Sequence, residues 1–161
     1  MNQAKPVPVI FGEVLFDIFP GGSRVLGGAP FNVAWHLRGF GLKPLMISAV
    51  GKDDLGREIL DRMTAWNMDT AGIQVDPEHP TGIVQVSLDH GEPSYDVVRD
   101  RAWDFIQPGP ALEATGSGGV AMLYHGSLAA RNQGTALSLE TLKQKRKTPV
   151  FVDVNLRPPY W

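Results

Sequence analysis

Residues 7–41 read VPVIFGEVLFDIFPGGSRVLGGAPFNVAWHLRGFG, and the order of residue types in this stretch decides the fold class. Val7 to Phe19 is an almost unbroken apolar run with a glycine inside it and Asp17 near its end, the pattern of a strand buried on both faces. The turn-rich segment that follows closes on Gly27-Gly28. Beyond it Val33, Ala34, Leu37 and Phe40 recur at helical spacing, and Gly41 supplies a stop. A buried strand, a glycine turn and a helix in that order open an α/β unit.

The same rhythm continues downstream. KPLMISAVGKD, residues 43–53, reads as a second buried strand, and Asp53 or Asp54 can cap a helix whose Ile59, Leu60, Met63 and Trp66 form one apolar stripe. Between Thr70 and Ile106 the character changes to short β-rich stretches around the turn-former His90-Gly91-Glu92-Pro93, which predicts a hairpin. VAMLYHGSLA from Val120 predicts a strand, Gln133 to Lys147 a helix with its cationic end KQKRK against the helix dipole, and TPVFVDVNLRP a last strand. One domain over residues 1–161 is expected, an α/β fold with a mostly parallel sheet flanked by helices. The strand ending at Asp17 should lie well inside that sheet, and segments near 20–25 and 81–99 should form a small antiparallel β lid.

Composition narrows the chemistry. The 161 residues are 43% apolar and 20% charged, with a formal charge of −2, so nothing global favours nucleic acid or an anionic membrane as partner. There is no cysteine, and His36, His79, His90 and His125 lack ligand-like spacing, so no metal site is expected. No apolar run approaches the ~20 residues that span a bilayer, and the first residues lack the layout of a signal peptide, which makes the cytoplasm the expected location. GSGG at 116–119 is not a phosphate loop, because no Lys-Ser or Lys-Thr follows it and a strand comes next.

The informative chemistry lies in GGAPFNVAWHLRGFG. Paired glycines before a helix let the backbone approach a ligand closely and leave amides free at the helix start. Asp17 at a strand end could accept hydrogen bonds from two neighbouring hydroxyls and so fix a polyol's orientation. Asn32 offers donors and acceptors, and equally suits the cap of the following helix. DVNLRPPYW at 153–161 leaves an apolar strand at its carboxyl end, where open α/β sheets gather ligand groups, so Asp153, Asn155 and Arg157 are expected to face the site.

Gly27-Gly28, Ala29, Asn32, Ala34, Leu37 and Gly41, followed by the Gly-x-Asp-x-x-Gly segment Gly51-Lys52-Asp53-Asp54-Leu55-Gly56, resemble the first signature of the PfkB (ribokinase-like) carbohydrate kinases. The closing DVNLRPPYW is similar to an Asp-x-Asn-x-Arg-Pro-x-x-Trp element of the fructokinase and 2-keto-3-deoxygluconate kinase branches. The resemblance implies a fructokinase-like sugar kinase that uses ATP and Mg2+. It implies sugar contacts at Asp17, Gly27, Gly28, Asn32, Asn155 and Arg157, with Arg99 as the arginine that follows an aromatic, here Tyr95, in those branches. Gly51, Asp53 and Gly56 are expected to serve the turn and helix cap more than the substrate. Family members are about twice this long and carry a Gly-Ala-Gly-Asp segment that does not occur here. The catalytic and ATP-binding residues are therefore expected outside these 161 residues, leaving the sugar-binding half. A homodimer clasped through the lid is implied as well. The alternatives are a 2-keto-3-deoxygluconate kinase, whose acidic substrate Arg99 and Arg157 would suit, and a truncated sugar-binding or scaffold protein without catalysis.

Overall fold

Val9, Ile10 and Phe11 are fully buried, and because successive strand residues point to opposite faces, they feed two separate cores. The computed structural model describes residues 6–89, 92–117 and 119–156. Along them run β1 (Val7–Phe11), β2 (Leu15–Ile18), β3 (Arg24–Gly27), α1 (Ala29–Gly39), β4 (Leu45–Gly51), α2 (Asp54–Ala65), β5 (Ile73–Asp76), β6 (Gly82–Asp89) and β7 (Glu92–Val97). There follow α3 (Pro108–Ala114), β8 (Val120–Gly126), α4 (Gln133–Arg146) and β9 (Val150–Asp153), with short 3-10 segments at Ala102–Phe105 and Leu128–Arg131.

The main sheet has the order β5-β4-β1-β8-β9, and every pairing in it is parallel. On one face Val9, Phe11, Leu45, Ile47 and Leu123 pack with Ala111 of α3 and Leu139 and Leu142 of α4. On the other, Ile10, Met46, Val50 and Tyr124 pack with Phe31 and Ala34 of α1 and Ile59 and Met63 of α2. This is the mostly parallel sheet flanked by helices that the apolar runs predict, since a strand covered on both faces has no polar side to alternate with.

The stretch from Val7 to Phe19 is not one strand of that sheet. It breaks at Gly12, whose φ of +148 suits glycine, and the chain passes through Glu13 and Val14 into β2 of a second sheet. Asp17 therefore lies outside the parallel sheet, paired with Val25 on one side and Val84 on the other. The second sheet has the order β3-β2-β6-β7, with antiparallel outer pairs and a parallel central pair, β2 with β6. The direction follows from connectivity. β2 and β6 continue the chain from the carboxyl ends of β1 and β5, two parallel strands, so they emerge running the same way. Residues 20–23, expected in a strand, form the turn, with the Gly22 N–H donating to the Phe19 carbonyl at 3.0 Å, and pairing starts at Arg24.

The Gly51–Gly56 segment is structural, as its residue types suggest. Asp53 is the N-cap of α2, accepting from the Gly56 N–H at 2.8 Å, and its carboxylate also accepts from the Thr81 N–H at 2.8 Å and hydroxyl at 2.6 Å. The Thr81 hydroxyl in turn accepts from the Gly51 N–H at 2.9 Å, so one carboxylate ties the end of β4, the start of α2 and the entry to β6. Burial alone would raise the Asp53 carboxyl; the hydrogen bonds from Thr81 and Gly56 outweigh it and hold the group below its ordinary value.

Candidate functional site

A cleft of about 680 Å³ opens where the two sheets meet. Its floor is built from the β1–β2 passage and the start of α1, through Glu13, Leu15, Asp17, Gly28, Ala29 and Asn32. β7 supplies one wall from Pro93 to Val97, and Leu128 and Asn155 close the other side. β1, β8 and β9 all deliver their carboxyl ends toward this seam, the position where open α/β sheets collect ligand groups.

Two glycines make the floor possible. A Cβ on Gly12 would stand 2.5 Å from Pro30 Cγ, and a Cβ on Gly28, at φ +105, would stand 2.6 Å from the Glu13 carbonyl oxygen. The β1–β2 passage and the amino end of α1 thus interlock, Gly12 against the Pro30 ring and Gly28 against the Glu13 backbone, which side chains at either position would prevent. Gly28 is the N-cap residue of α1, and no side chain caps that end. Asn32 is not a cap: it lies in the first turn, its N–H donating to the Gly28 carbonyl at 2.8 Å, and it is exposed on the cleft side.

Asp17 is half-buried, and burial raises its carboxyl above the ordinary value. Gly27 pairs with Leu15 in the β2–β3 ladder, two residues along from Asp17, and is not among the residues lining the cleft. A Cβ at Gly27 would lie 3.2 Å from Asp17 Oδ2, so a larger residue there would push on the carboxylate. Asn155, just past β9, is anchored by its N–H to the Ser127 hydroxyl at 3.0 Å and lines the cleft. Asp153 faces elsewhere, accepting the Tyr124 hydroxyl at 2.8 Å. Arg99 follows β7, is exposed, and is not among the residues lining the cleft. Arg157 lies outside the described residues. The cleft thus gathers Asp17, Gly28, Asn32 and Asn155 and leaves Arg99 aside.

The sequence reading missed Glu13. It is 3% exposed, yet it lines the cleft, and its Oε2 has no hydrogen-bond partner among the described residues. Burial pushes its carboxyl up to about 7, against the partial relief of its own N–H, the Ala29 N–H and the charge of Arg131. Arg131 is itself buried in a two-pronged pair with Asp104, Nε to Oδ1 at 2.8 Å and a terminal nitrogen to Oδ2 at 2.9 Å, and its guanidinium stacks 4.2 Å over the Trp103 ring. A single acidic letter inside VIFGEVLF was the available signal. His125, at the end of β8, is buried, and burial lowers its tendency to take a proton. Among the described residues no cluster of three or more His, Asp and Glu is placed to hold a metal ion.

Residues 17–161 match the family model described as pfkB family carbohydrate kinase. A Pyrococcus horikoshii relative, whose name places it provisionally among the sugar kinases, is 30% identical over 182 residues, covering 100% of this chain and 56% of its own length. The crystal structure of an uncharacterized sugar kinase from the same organism in complex with ATP superposes with a TM-score of 0.86 at 26% identity, over 96% of this chain and 55% of that one. The fructokinase of Xylella fastidiosa gives a TM-score of 0.85 at 25% identity, over 96% and 52%. The chain spans about half the length of the curated relatives it matches.

Proposed function

The chain belongs to the pfkB family of carbohydrate kinases, and from that premise we propose that it carries the sugar-holding part of a fructokinase-like enzyme that phosphorylates a ketose hydroxyl with ATP. The observation that carries the reading is the convergence of a carboxylate, Asp17, with Gly28, Asn32 and Asn155 on one cleft at the carboxyl ends of parallel strands. An ionised Asp17 accepts from two neighbouring hydroxyls at once, which fixes the face of the sugar. Gly28, without a side chain, lets the ring approach the start of α1, where backbone N–H groups have no intrahelical partner. Asn32 and Asn155 add amide donors and acceptors on either side. Together they orient the hydroxyl that is to be phosphorylated, and positioning is a large part of what phosphoryl transfer asks of a protein.

In this reading the second sheet is the lid of the sugar site, and the family resemblance assigns Arg99 and Arg157 to the sugar. The base for the hydroxyl and the ATP platform lie outside these residues. No role in holding magnesium is assigned to this segment. Exposed Val25, Leu88 and Tyr95 on the second sheet give it an apolar surface on which two copies would clasp as a homodimer. The test is steady-state kinetics of the full-length protein with fructose and Mg-ATP. Asp17→Ala should lower kcat/KM for the sugar by about 2 kcal/mol or more of transition-state stabilisation, with the KM for ATP unchanged. An unchanged sugar kcat/KM would remove Asp17 from the site.

A further inference from the structure

Among the carboxyl groups that line the cleft, Glu13 is the one that is almost wholly buried and still has an oxygen without a partner. A buried polar atom left unpaired is costly and rare, so its persistence at the floor of a ligand cleft points to a partner beyond the described residues. The interlock of Gly12 with Pro30 and of Gly28 with the Glu13 carbonyl fixes the backbone beneath it. Its other hydrogen bonds come from its own N–H and that of Ala29, which hold it at the amino end of α1 beside Asn32 and Asp17.

We infer that Glu13 is a second sugar-binding carboxyl, whose free oxygen accepts a hydroxyl of the bound ketose and which gives up its proton when the sugar binds. The inference rests on the sugar-kinase reading above and deepens it by assigning a residue. The charged and titratable groups around Glu13 are Arg131 and Asp104 from the two 3-10 segments, Asp17 on β2 and Tyr124 on β8. Arg131, paired with Asp104, already gives partial relief in the free protein, so the sugar hydroxyl is the new interaction that favours the ionised form. In the free protein burial holds the carboxyl up to about 7, so just below neutral pH most molecules carry the proton that binding must release. Proton balance is simple: the carboxylic acid loses H+ to buffer, and the carboxylate accepts the O–H of the sugar without further bond change.

The experiment is calorimetric titration of D-fructose into the full-length protein at pH 6.5 in two buffers of different ionisation enthalpy, PIPES and imidazole. The wild type should release roughly half a proton or more per sugar at pH 6.5, falling toward none at pH 8.5. Glu13→Gln should release none and bind fructose roughly tenfold more weakly. Equal heats in both buffers, or proton release that persists in Glu13→Gln, would overturn the assignment while leaving the sugar site intact. Absence of fructose binding in the wild type at every pH would overturn the kinase reading and this inference together. Should Glu13→Gln fail to fold, infrared difference spectra of wild-type protein with 13C-labelled glutamate decide the matter. Loss of a labelled protonated carboxyl band on adding fructose supports the assignment, and an unchanged band sinks it.

Discussion

Every residue of β4 is buried, whereas five of the six residues of β7 are exposed, and the two strands belong to sheets that meet along one cleft. The inner strands of the main sheet are covered by helices on both faces, so their side chains are held by packing from two directions, while β9 at its edge leaves Val150, Phe151 and Val152 exposed. The second sheet buries Val84 and Val86 and leaves Val25, Leu88 and Tyr95 in solvent. A site on such a seam has a rigid floor, which places Glu13, Gly28 and Asn32, and a wall tied to a sheet with far less packing behind it. The difference separates the residues that set geometry from those free to adapt around a ligand.

The contrast should show first in stability. Phe11, fully buried in the main-sheet core, should cost about 3–5 kcal/mol when replaced by Ala, read as a drop in the urea midpoint. A loss under 1 kcal/mol would mean that the main sheet is not the rigid partner. The next effect belongs to Glu13 and depends on pH. Its folded carboxyl sits at about 7 against an ordinary 4.5, so the folded state holds the proton more tightly than the unfolded chain. That contribution is complete below pH 4.5 and is lost as pH rises through about 7, a decline of about 3 kcal/mol. Glu13→Gln should flatten the decline and exceed the wild type in stability at pH 8. Chemical denaturation at pH 5 and pH 8 checks it, and equal slopes in both proteins would contradict the buried carboxyl. The smallest effect is on the exposed sheet: Tyr95→Ser should change stability by less than about 0.5 kcal/mol. A larger loss would show that β7 carries packing the isolated chain does not reveal.

The sequence made the main sheet legible because LMISAVG and VAMLYHG are short apolar runs between turn signals, and a strand buried on both faces has no other pattern. It concealed the break at Gly12, since Val14, Leu15 and Phe16 are buried after the break as Val9 to Phe11 are before it. Apolar periodicity reports burial and carries no record of which sheet does the burying. α3, with sequence PGPALEA, is too short and too rich in proline and glycine to show a helical stripe. In the cleft, Asp17, Gly28, Asn32 and Asn155 were visible because each lies in or beside a motif shared with the carbohydrate kinases. Glu13 was hidden because its importance comes from burial and a missing partner, which only packing defines. Arg99 was named from the resemblance to an aromatic-x-x-Arg pattern, and among the described residues it follows β7 without lining the cleft.

The claim that a sugar sits on the seam between the sheets is tested most directly by amide hydrogen exchange of the full-length protein with and without saturating fructose. Slower exchange is expected in 15–18, 28–32 and around Asn155, with the outer edge of the main sheet at Ile73–Asp76 unchanged. Protection confined to the opposite end of the strands, around Lys43, Asn67 and Thr115, with no change at 28–32, would contradict it.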